Sequence, residues 1–241
     1  MEKAVTGWGI HRYGPQSGIE RFDDILISEL LVKIVSDGRE LGSSWCSPMH
    51  LDELAVGFLL TSGKITRADE LAGIKVDEEN QVVYVDLRTL DPRAEKSAEK
   101  KPQDVKIYAQ DVLDLMKQLL QSSQLHRDTG GVHTVALGQG NQLLIYREDI
   151  GRHNAVDKVL GYCLLHGISI EDKVLVLSGR VSSEIMSKAI RMGVKCLVSR
   201  SAVTDEACRM AREQGITLLG FTRGARFNIY SGIDRIIVEE E

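Results

Sequence analysis

Four segments of this 241-residue chain set arginine beside small or hydroxylated residues, and each follows a run of aliphatic side chains. They are Glu148-Asp149-Ile150-Gly151-Arg152-His153-Asn154, Ser178-Gly179-Arg180, Ser199-Arg200-Ser201, and Phe221-Thr222-Arg223-Gly224-Ala225-Arg226. A guanidinium carries a rigid fork of donors that matches carboxylate or phosphate. Glycine lets a backbone approach a phosphate closely. The chemistry this pattern suggests is the holding of an anion; the alternative is solvation, or neutralisation by Glu148, Asp149 and Glu184. A further segment, Thr129-Gly130-Gly131-Val132-His133, puts paired glycines before a strand, for an unusual backbone angle or a close ligand approach. His133 and His153 titrate near neutrality, so each is either a ligand-binding or acid–base group or a structural hydrogen-bonding one. Asp149 and His153 read as a polar pair.

Alternating elements must position these segments. Residues 134–137 and 143–147 read as a strand pair turning at Gly140-Asn141, followed by a helix over 154–166 and a strand over 173–177. A helix over 183–192, a strand over 196–198, a helix over 205–214, a strand over 216–221 and a short strand over 227–230 complete the half. Strands separated by helices of about ten residues imply right-handed crossovers and a mainly parallel sheet, so the fold class is α/β. Ligands of such sheets bind beyond the carboxyl ends of the strands. That topology brings Arg152, Arg180, Arg200, Arg223 and Arg226 to one edge. Helices starting near Asn154 and Ser183 add N–H donors and positive dipole ends there.

The first half reads as a smaller α+β region. A strand over 25–35 turns at Asp37-Gly38 into a second over 39–45. A helix follows, with Ser47 as N-cap, Pro48 in its first position, Asp52 and Glu53 in its first turn, and Gly63 at its end. Strands over 74–76 and 81–87 turn at Glu79-Asn80. Residues 91–104 are charged and hold two prolines, which predicts a mobile, solvated loop. An amphipathic helix then runs to about Gln124, with Val105, Tyr108, Val112, Leu115 and Leu119 marking one face, read as core. The expected division is an N-terminal region over 1–128 and a second domain over 129–241.

A net charge of −5 argues against general nucleic-acid binding, and a 43% hydrophobic content suffices for a sizeable core. No stretch approaches the roughly 20 apolar residues of a membrane span, and residues 1–20 lack a signal peptide's apolar run. A cytoplasmic protein without a membrane partner is expected. Walker, dinucleotide, His-x-x-x-His and Cys-x-x-Cys motifs are absent, so no metal site is expected. The cysteines are scattered; Cys163, Cys196 and Cys208 read as small buried hydrophobes.

The segments SPMHLDELAVGFLLTSGKI (47–65), TGGVHTVAL (129–137), REDIGRHNAVDKVLG (147–161), LSGRVSSEIMSKA (177–189) and GFTRGARFNIYSG (220–232) span nearly the whole chain in order. Together they resemble the formate dehydrogenase accessory proteins, the FdhD family of sulfur carriers. The resemblance implies a C-terminal domain of cytidine-deaminase-like fold without that fold's zinc, and a homodimer. It implies sulfur taken as a persulfide from a cysteine desulfurase and delivered to the molybdenum cofactor of formate dehydrogenase. That cofactor is a bis-molybdopterin guanine dinucleotide, for which a guanine nucleotide is a mimic. The family's cofactor-binding stretch corresponds to Phe221, Thr222, Arg223, Gly224, Ala225 and Arg226. Gly131, His133, Asp149, Arg152, His153, Asn154, Ser178, Gly179, Arg180 and Ser199 are expected to serve the same ligand.

One departure stands out. The family's Cys-x-x-Cys loop, whose thiol accepts the sulfur, corresponds here to residues 91–104, which contain no cysteine. Persulfide transfer needs an accessible thiolate. The candidate is Cys46, just ahead of the expected helix cap, with a pKa lowered by the helix dipole; the alternative is a partly buried structural residue. Three functions follow: an accessory protein that binds the cofactor and assists its sulfuration, a cofactor- or nucleotide-binding chaperone without its own relay, or a nucleotide enzyme with His133 or His153 as base beside Asp149. The last lacks a zinc or P-loop motif.

Overall fold

The computed structural model describes residues 4–88 and 106–238, and the loop expected over 91–104 lies outside the described residues. Strands β1 (Val5–Gly14) and β2 (Gly18–Ile27) form a two-stranded antiparallel ribbon, largely exposed. Only its base is anchored, where Val5 and Ile27 pack with Leu125, Val132, Met49 and Ile150. The single strand expected over 25–35 is therefore two strands. Residues 25–27 pair with the start of β1, whereas β3 (Leu30–Ser36) pairs with β4 (Arg39–Cys46). Asp37 and Gly38 join β3 to β4 with φ of 49° and 71°, the backbone that a tight hairpin demands.

Helix α1 (Leu51–Thr61) starts later than the capping pattern predicted. Ser47 is diverted: its hydroxyl accepts a hydrogen bond from Ile150 N at 3.1 Å, and its own N–H donates to the Asp149 carboxylate at 3.1 Å. His50, in the left-handed region at φ 53°, precedes the first helical turn instead. Strands β5 (Leu71–Asp77) and β6 (Val82–Leu87) complete a four-stranded sheet of order β4-β3-β6-β5. The helix covers it through Leu54, Ala55 and Leu59 against Val32, Ile34, Val83 and Val85.

The chain resumes with β7 (Ile107–Tyr108), α2 (Ala109–Ser122) and α3 (Gln124–Thr129). Then follow β8 (His133–Gln139), β9 (Gln142–Asp149), α4 (Arg152–Leu165), β10 (Val174–Leu177), α5 (Ser183–Arg191), β11 (Cys196–Ser199), α6 (Asp205–Glu213), β12 (Thr217–Arg223), β13 (Arg226–Ser231) and β14 (Ile236–Ile237). Six of these strands form one sheet of order β13-β12-β11-β10-β8-β9. Only β10, β11 and β12 run parallel to one another; β8 against β10, β8 against β9, and β12 against β13 are antiparallel. The mainly parallel sheet expected from the alternation is thus a mixed one. The tight turns at Gly140-Asn141 and Gly224-Ala225 can only return a strand antiparallel, since a parallel return needs a long crossover.

Helix α2, assigned from the sequence to the N-terminal region, lies on this larger sheet. Val112, Leu115, Met116 and Leu119 pack on Ala136, Val176, Val198 and Leu219. The opposite face is covered by α4, α5 and α6 through Val156, Leu160, Ile185, Met186 and Ala207. Helices α1 and α4 meet backbone to backbone. A Cβ on Gly57 would lie 1.9 Å from Asp157 O, and one on Gly161 would lie 1.9 Å from Glu53 O. That joint brings the helical layers of the two sheets together.

Candidate anion-binding site

Strand register decides which loops meet. His133 pairs with Asp149, Leu177 with Val135 and with Ser199, and Val198 with Leu219. The start of β8 and the carboxyl ends of β9, β10, β11 and β12 therefore share one edge of the sheet. Arg152 opens α4 there, Arg180 and Arg200 follow β10 and β11, and Arg223 faces Arg226 across the β12–β13 turn. Arg223 Nε donates to Arg200 O at 3.2 Å, which ties two of the loops together. Arg180, Arg200, Arg223 and Arg226 are exposed. A Cβ on Gly179 would crowd His133 Nδ1 at 3.1 Å and Arg152 Cβ at 3.3 Å, so a glycine lets the β10 loop settle against both.

Several residues expected to meet a ligand hold the loops instead. Asp149 and Lys158 are both fully buried and pair at 2.6 Å. Asp149 also accepts from Ser47 N at 3.1 Å, Gly151 N at 2.8 Å and Asn154 Nδ2 at 3.0 Å. Lys158 donates to Ser47 O at 3.2 Å and Glu148 O at 3.5 Å. Asn154 donates to Trp45 O at 2.7 Å and accepts from Ser44 Oγ at 2.9 Å. Asp149 and Asn154 therefore fasten the 148–154 loop onto the end of β4, and Asp149 forms no pair with His153. Lys158, part of the 147–161 segment, is not among the residues expected to serve the ligand; the signal of its role is a lysine among Ala155, Val156, Val159 and Leu160, where a helix faces a core.

Ser178 Oγ accepts from Thr134 N at 2.9 Å, while Ser199 Oγ donates to Gly179 O at 2.7 Å and accepts from Ser201 N at 2.9 Å. Both hydroxyls shape loops. Gly131 has a packing reason, because a Cβ there would lie 2.7 Å from Ile27 Cγ2 at the base of the ribbon. His153 Nε2 lies 3.3 Å from Glu184 Oε2. Burial, and then the Arg152 guanidinium, hold the pKa of His133 and of His153 below the ordinary histidine value, against the pull of Glu184 on His153. Both rings are mainly neutral at pH 7, so the positive charge of the edge is that of its arginines.

Among the described residues, the buried side-chain polar atoms without a hydrogen-bond partner are Ser36 Oγ, Arg152 Nε, Ser182 Oγ and Thr222 Oγ1. Three of these four, Arg152, Ser182 and Thr222, lie at this edge. A buried polar atom without a partner costs about 1–3 kcal/mol and is uncommon in a native fold. Backbone strain collects here too. Phe221 sits at φ 50° within a bulge between Gly220 and Arg223, with the Arg223 guanidinium 5.6 Å from its ring centre. Such an angle in a bulky residue costs on the order of 1–3 kcal/mol, and such strain clusters at functional sites. Guanidinium donors, orphaned polar atoms and a strained aromatic together make an edge suited to a large anion with a planar part.

The thiols are arranged otherwise. Cys46 is fully buried, and burial pushes its pKa up to about 12 in spite of Lys158 nearby. The expected lowering by a helix dipole does not occur, because α1 begins only at Leu51 and Cys46 lies in core. Cys163 and Cys196 are likewise buried and pushed up to about 12. Cys208 is half-buried on α6, with Sγ 3.8 Å from Tyr230 O. Among the described residues no group of three or more His, Cys, Asp or Glu side chains is placed to hold a metal ion. No described helix is long and apolar enough to cross a membrane.

Comparison with known proteins follows this geometry. The FdhD/NarQ family model matches residues 27–101 and 90–237. The sulfur carrier protein FdhD of Bacillus subtilis is 38% identical, covering 98% of this chain and 98% of its own length. That of Geobacillus kaustophilus is 37% identical, over 95% and 96%. A crystal structure described as that of a formate dehydrogenase accessory protein from Desulfotalea psychrophila superposes with a TM-score of 0.85 at 28% identity, covering 97% of this chain and 100% of that one. With its mixed sheet, its arginine-bearing loop edge and a sequence match from end to end, this chain belongs to the FdhD/NarQ family.

Proposed function

We propose that this protein is an accessory factor for formate dehydrogenase that binds the bis-molybdopterin guanine dinucleotide molybdenum cofactor as its cargo and assists the sulfuration of that cofactor. The observation that carries this reading is the arginine edge: five arginines from four loops converge in a chain of net charge −5, beside three buried polar atoms that the protein leaves unpartnered. A dinucleotide cofactor supplies the phosphate charge such an edge accommodates. The reading also includes a cytidine-deaminase-like domain over 129–241, a homodimer in the cytoplasm, and a cysteine desulfurase and formate dehydrogenase as partners. Family membership supports these.

The thiols favour one form of the proposal. A sulfur carrier's thiolate attacks the terminal sulfur of the desulfurase persulfide and releases the desulfurase thiolate. Cys46, Cys163 and Cys196 are sealed in core as neutral thiols, and residues 91–104 hold no cysteine. The protein then acts as a cofactor-binding chaperone in a transfer whose thiol belongs to a partner. A nucleotide enzyme with an Asp149–His153 base has no support, because Asp149 is buried in its pair with Lys158.

Calorimetric titration with GDP tests the edge. Arg223→Ala with Arg226→Ala should weaken binding by a hundredfold or more, since each charge-assisted hydrogen bond contributes about 1.5–3 kcal/mol. Unchanged affinity sinks the arginine edge. Intact mass after incubation with a cysteine desulfurase and cysteine should show no added sulfur. An adduct lost in Cys46→Ala or in Cys208→Ala would restore a relay of the protein's own.

A further inference from the structure

The ribbon of β1 and β2 leaves a strand edge unused. Helix α3 packs beside β2, and Ile27 of β2 sits against Gly131, so the body of the protein lies on the β2 side. Among the described residues, the outer edge of β1 has no strand partner. Proteins blunt an exposed edge with lysine, proline or a bulge. Strand β1 contains neither lysine nor proline, and its pairing with β2 runs from Val5 to Gly14 without a register shift. A two-stranded hairpin is at best marginally stable in water. This one also holds large side chains out to solvent: Trp8 is 60% exposed, Tyr13 and Ile19 are 73%, and Phe22 is 43%.

Resting on the homodimer included in the reading above, we propose that β1 pairs antiparallel with β1 of a second copy about a two-fold axis at Ile10. The product is a four-stranded sheet of order β2-β1-β1-β2 that joins the two copies.

The register follows from symmetry and charge. A two-fold axis perpendicular to a sheet keeps every side chain on its own face, so the central residue must lie opposite itself. Gly9, Ile10 and His11 stand at the centre of the strand. Within the ribbon, Gly9 pairs with Asp23 and His11 with Arg21. An axis at His11 would set both histidines and both Arg21 side chains in one row. An axis at Gly9 would set Asp23 and its copy in one row, with only glycines between them. An axis at Ile10 instead builds the row Asp23, Gly9, the partner's His11, the partner's Arg21, so opposite charges meet. Asp23 and Arg21 already reach over Gly9, where a Cβ would lie 3.8 Å from both Asp23 Oδ1 and Arg21 Nη2.

The other face agrees with this register. Ile10 meets its copy, and Phe22, its partner within the ribbon, extends the apolar row on either side. Trp8 faces the partner's Arg12, a cation against an aromatic ring. Arg12 makes the same kind of contact within the ribbon, 3.6 Å from the centre of the Phe22 ring. Gly7 has open space where a Cβ would stand, and it faces the partner's Tyr13. Like charges face each other nowhere along the new β1–β1 pairing, as cross-strand pairs require.

The test uses the full chain carrying Cys208→Ser, which removes the half-buried thiol, with light scattering over a range of concentrations and oxidative cross-linking. The protein should be a dimer. Ile10→Glu sets two carboxylates opposite each other at the axis and should weaken the dimer on the order of tenfold or more. Its circular dichroism should stay that of a folded chain, because Ile10 packs in none of the cores. Ile10→Cys should cross-link to its own copy, since directly opposed Cβ atoms lie about 4.5–5.5 Å apart. Tyr13→Cys alone should not, because it stands about 20 Å along the strands from its copy. A mixture of Tyr13→Cys and Gly7→Cys chains should cross-link. A dimer that withstands Ile10→Glu and gives no cross-link at Ile10→Cys refutes pairing through β1 while the homodimer stands. A monomer at every concentration overturns the homodimer and this inference with it, and hands the edge to a strand of another protein.

Discussion

Replacing Lys158 with methionine probes the joint on which the 148–154 loop depends. Lys158 and Asp149 are both fully buried and 2.6 Å apart. Methionine fills much of the same volume, so the change removes a charge more than it opens a cavity. Asp149 would keep its three donors, Ser47 N, Gly151 N and Asn154 Nδ2, but lose its cation. Ser47 O and Glu148 O would lose a donor as well. Breaking a buried ion pair from one side costs about 3–5 kcal/mol. In a chain of this size each kcal/mol lowers the melting temperature by about 2–4 °C, which places the fall at about 6–20 °C. Asp149→Asn should cost a comparable amount, since it strands Lys158 in turn. The double variant should lose clearly less than the sum, because the second change removes the stranded charge left by the first. Calorimetric melts and urea titrations of all four proteins close the cycle. A loss under about 1 kcal/mol for Lys158→Met, or strictly additive losses, would refute the view that this pair fastens the loop.

Gly161→Ala should lower the melting temperature by several degrees. Its Cβ would stand 1.9 Å from Glu53 O, so α1 and α4 must part at a cost of about 1–3 kcal/mol or more; Gly7→Ala, with nothing within 4 Å, should not. His133 and His153 each have a folded pKa below the unfolded value, so the unfolded chain binds protons first as the pH drops. The stability this represents is fully present above the unfolded histidine value of about 6.5 and is lost as pH falls through the folded one. The fall in melting temperature between pH 7.5 and pH 5.5 should therefore shrink in the His133→Gln, His153→Gln double variant, and an identical fall in both proteins would contradict this.

Much of the second half could be read without coordinates, for reasons that are local. Val174–Leu177 and Cys196–Ser199 are short β-branched or aliphatic runs, and the amphipathic helices between them follow from spacing alone. Once strands and helices alternate, the residues after the parallel strands β10, β11 and β12 fall at one end of the sheet, which brings Arg180, Arg200 and Arg223 together; Arg152 joins them because β8 lies antiparallel to both β9 and β10, which spacing does not record. The ribbon of residues 5–27 was illegible beyond its last residues because Trp8 stands between glycines, and Ile10 and Phe22 beside His11, Arg21 and Asp23, without a core to impose alternation. Ser47 and Pro48 carried a capping pattern that distant residues overrode, since the Ser47 hydroxyl that would accept from the first helical turn accepts from Ile150 N instead, and the Ser47 N–H is held by Asp149.

The chain's own order of residues determined the element types, the arginine-bearing loops and the family, because these rest on short-range periodicity, charge and contiguous motifs. Tertiary structure alone decided which polar residues are ligands and which are fasteners. Asp149, Asn154, Ser178 and Ser199 have the chemistry of a binding site, yet partners from β4, β8 and neighbouring loops have already saturated them. The same holds for Cys46, whose thiol is unreactive because the core formed by both strands and helix excludes the water a thiolate needs. Hydrogen-bonding capacity belongs to the residue type, but whether it remains available depends on what the fold brings within 3 Å, and sequence spacing carries no record of that.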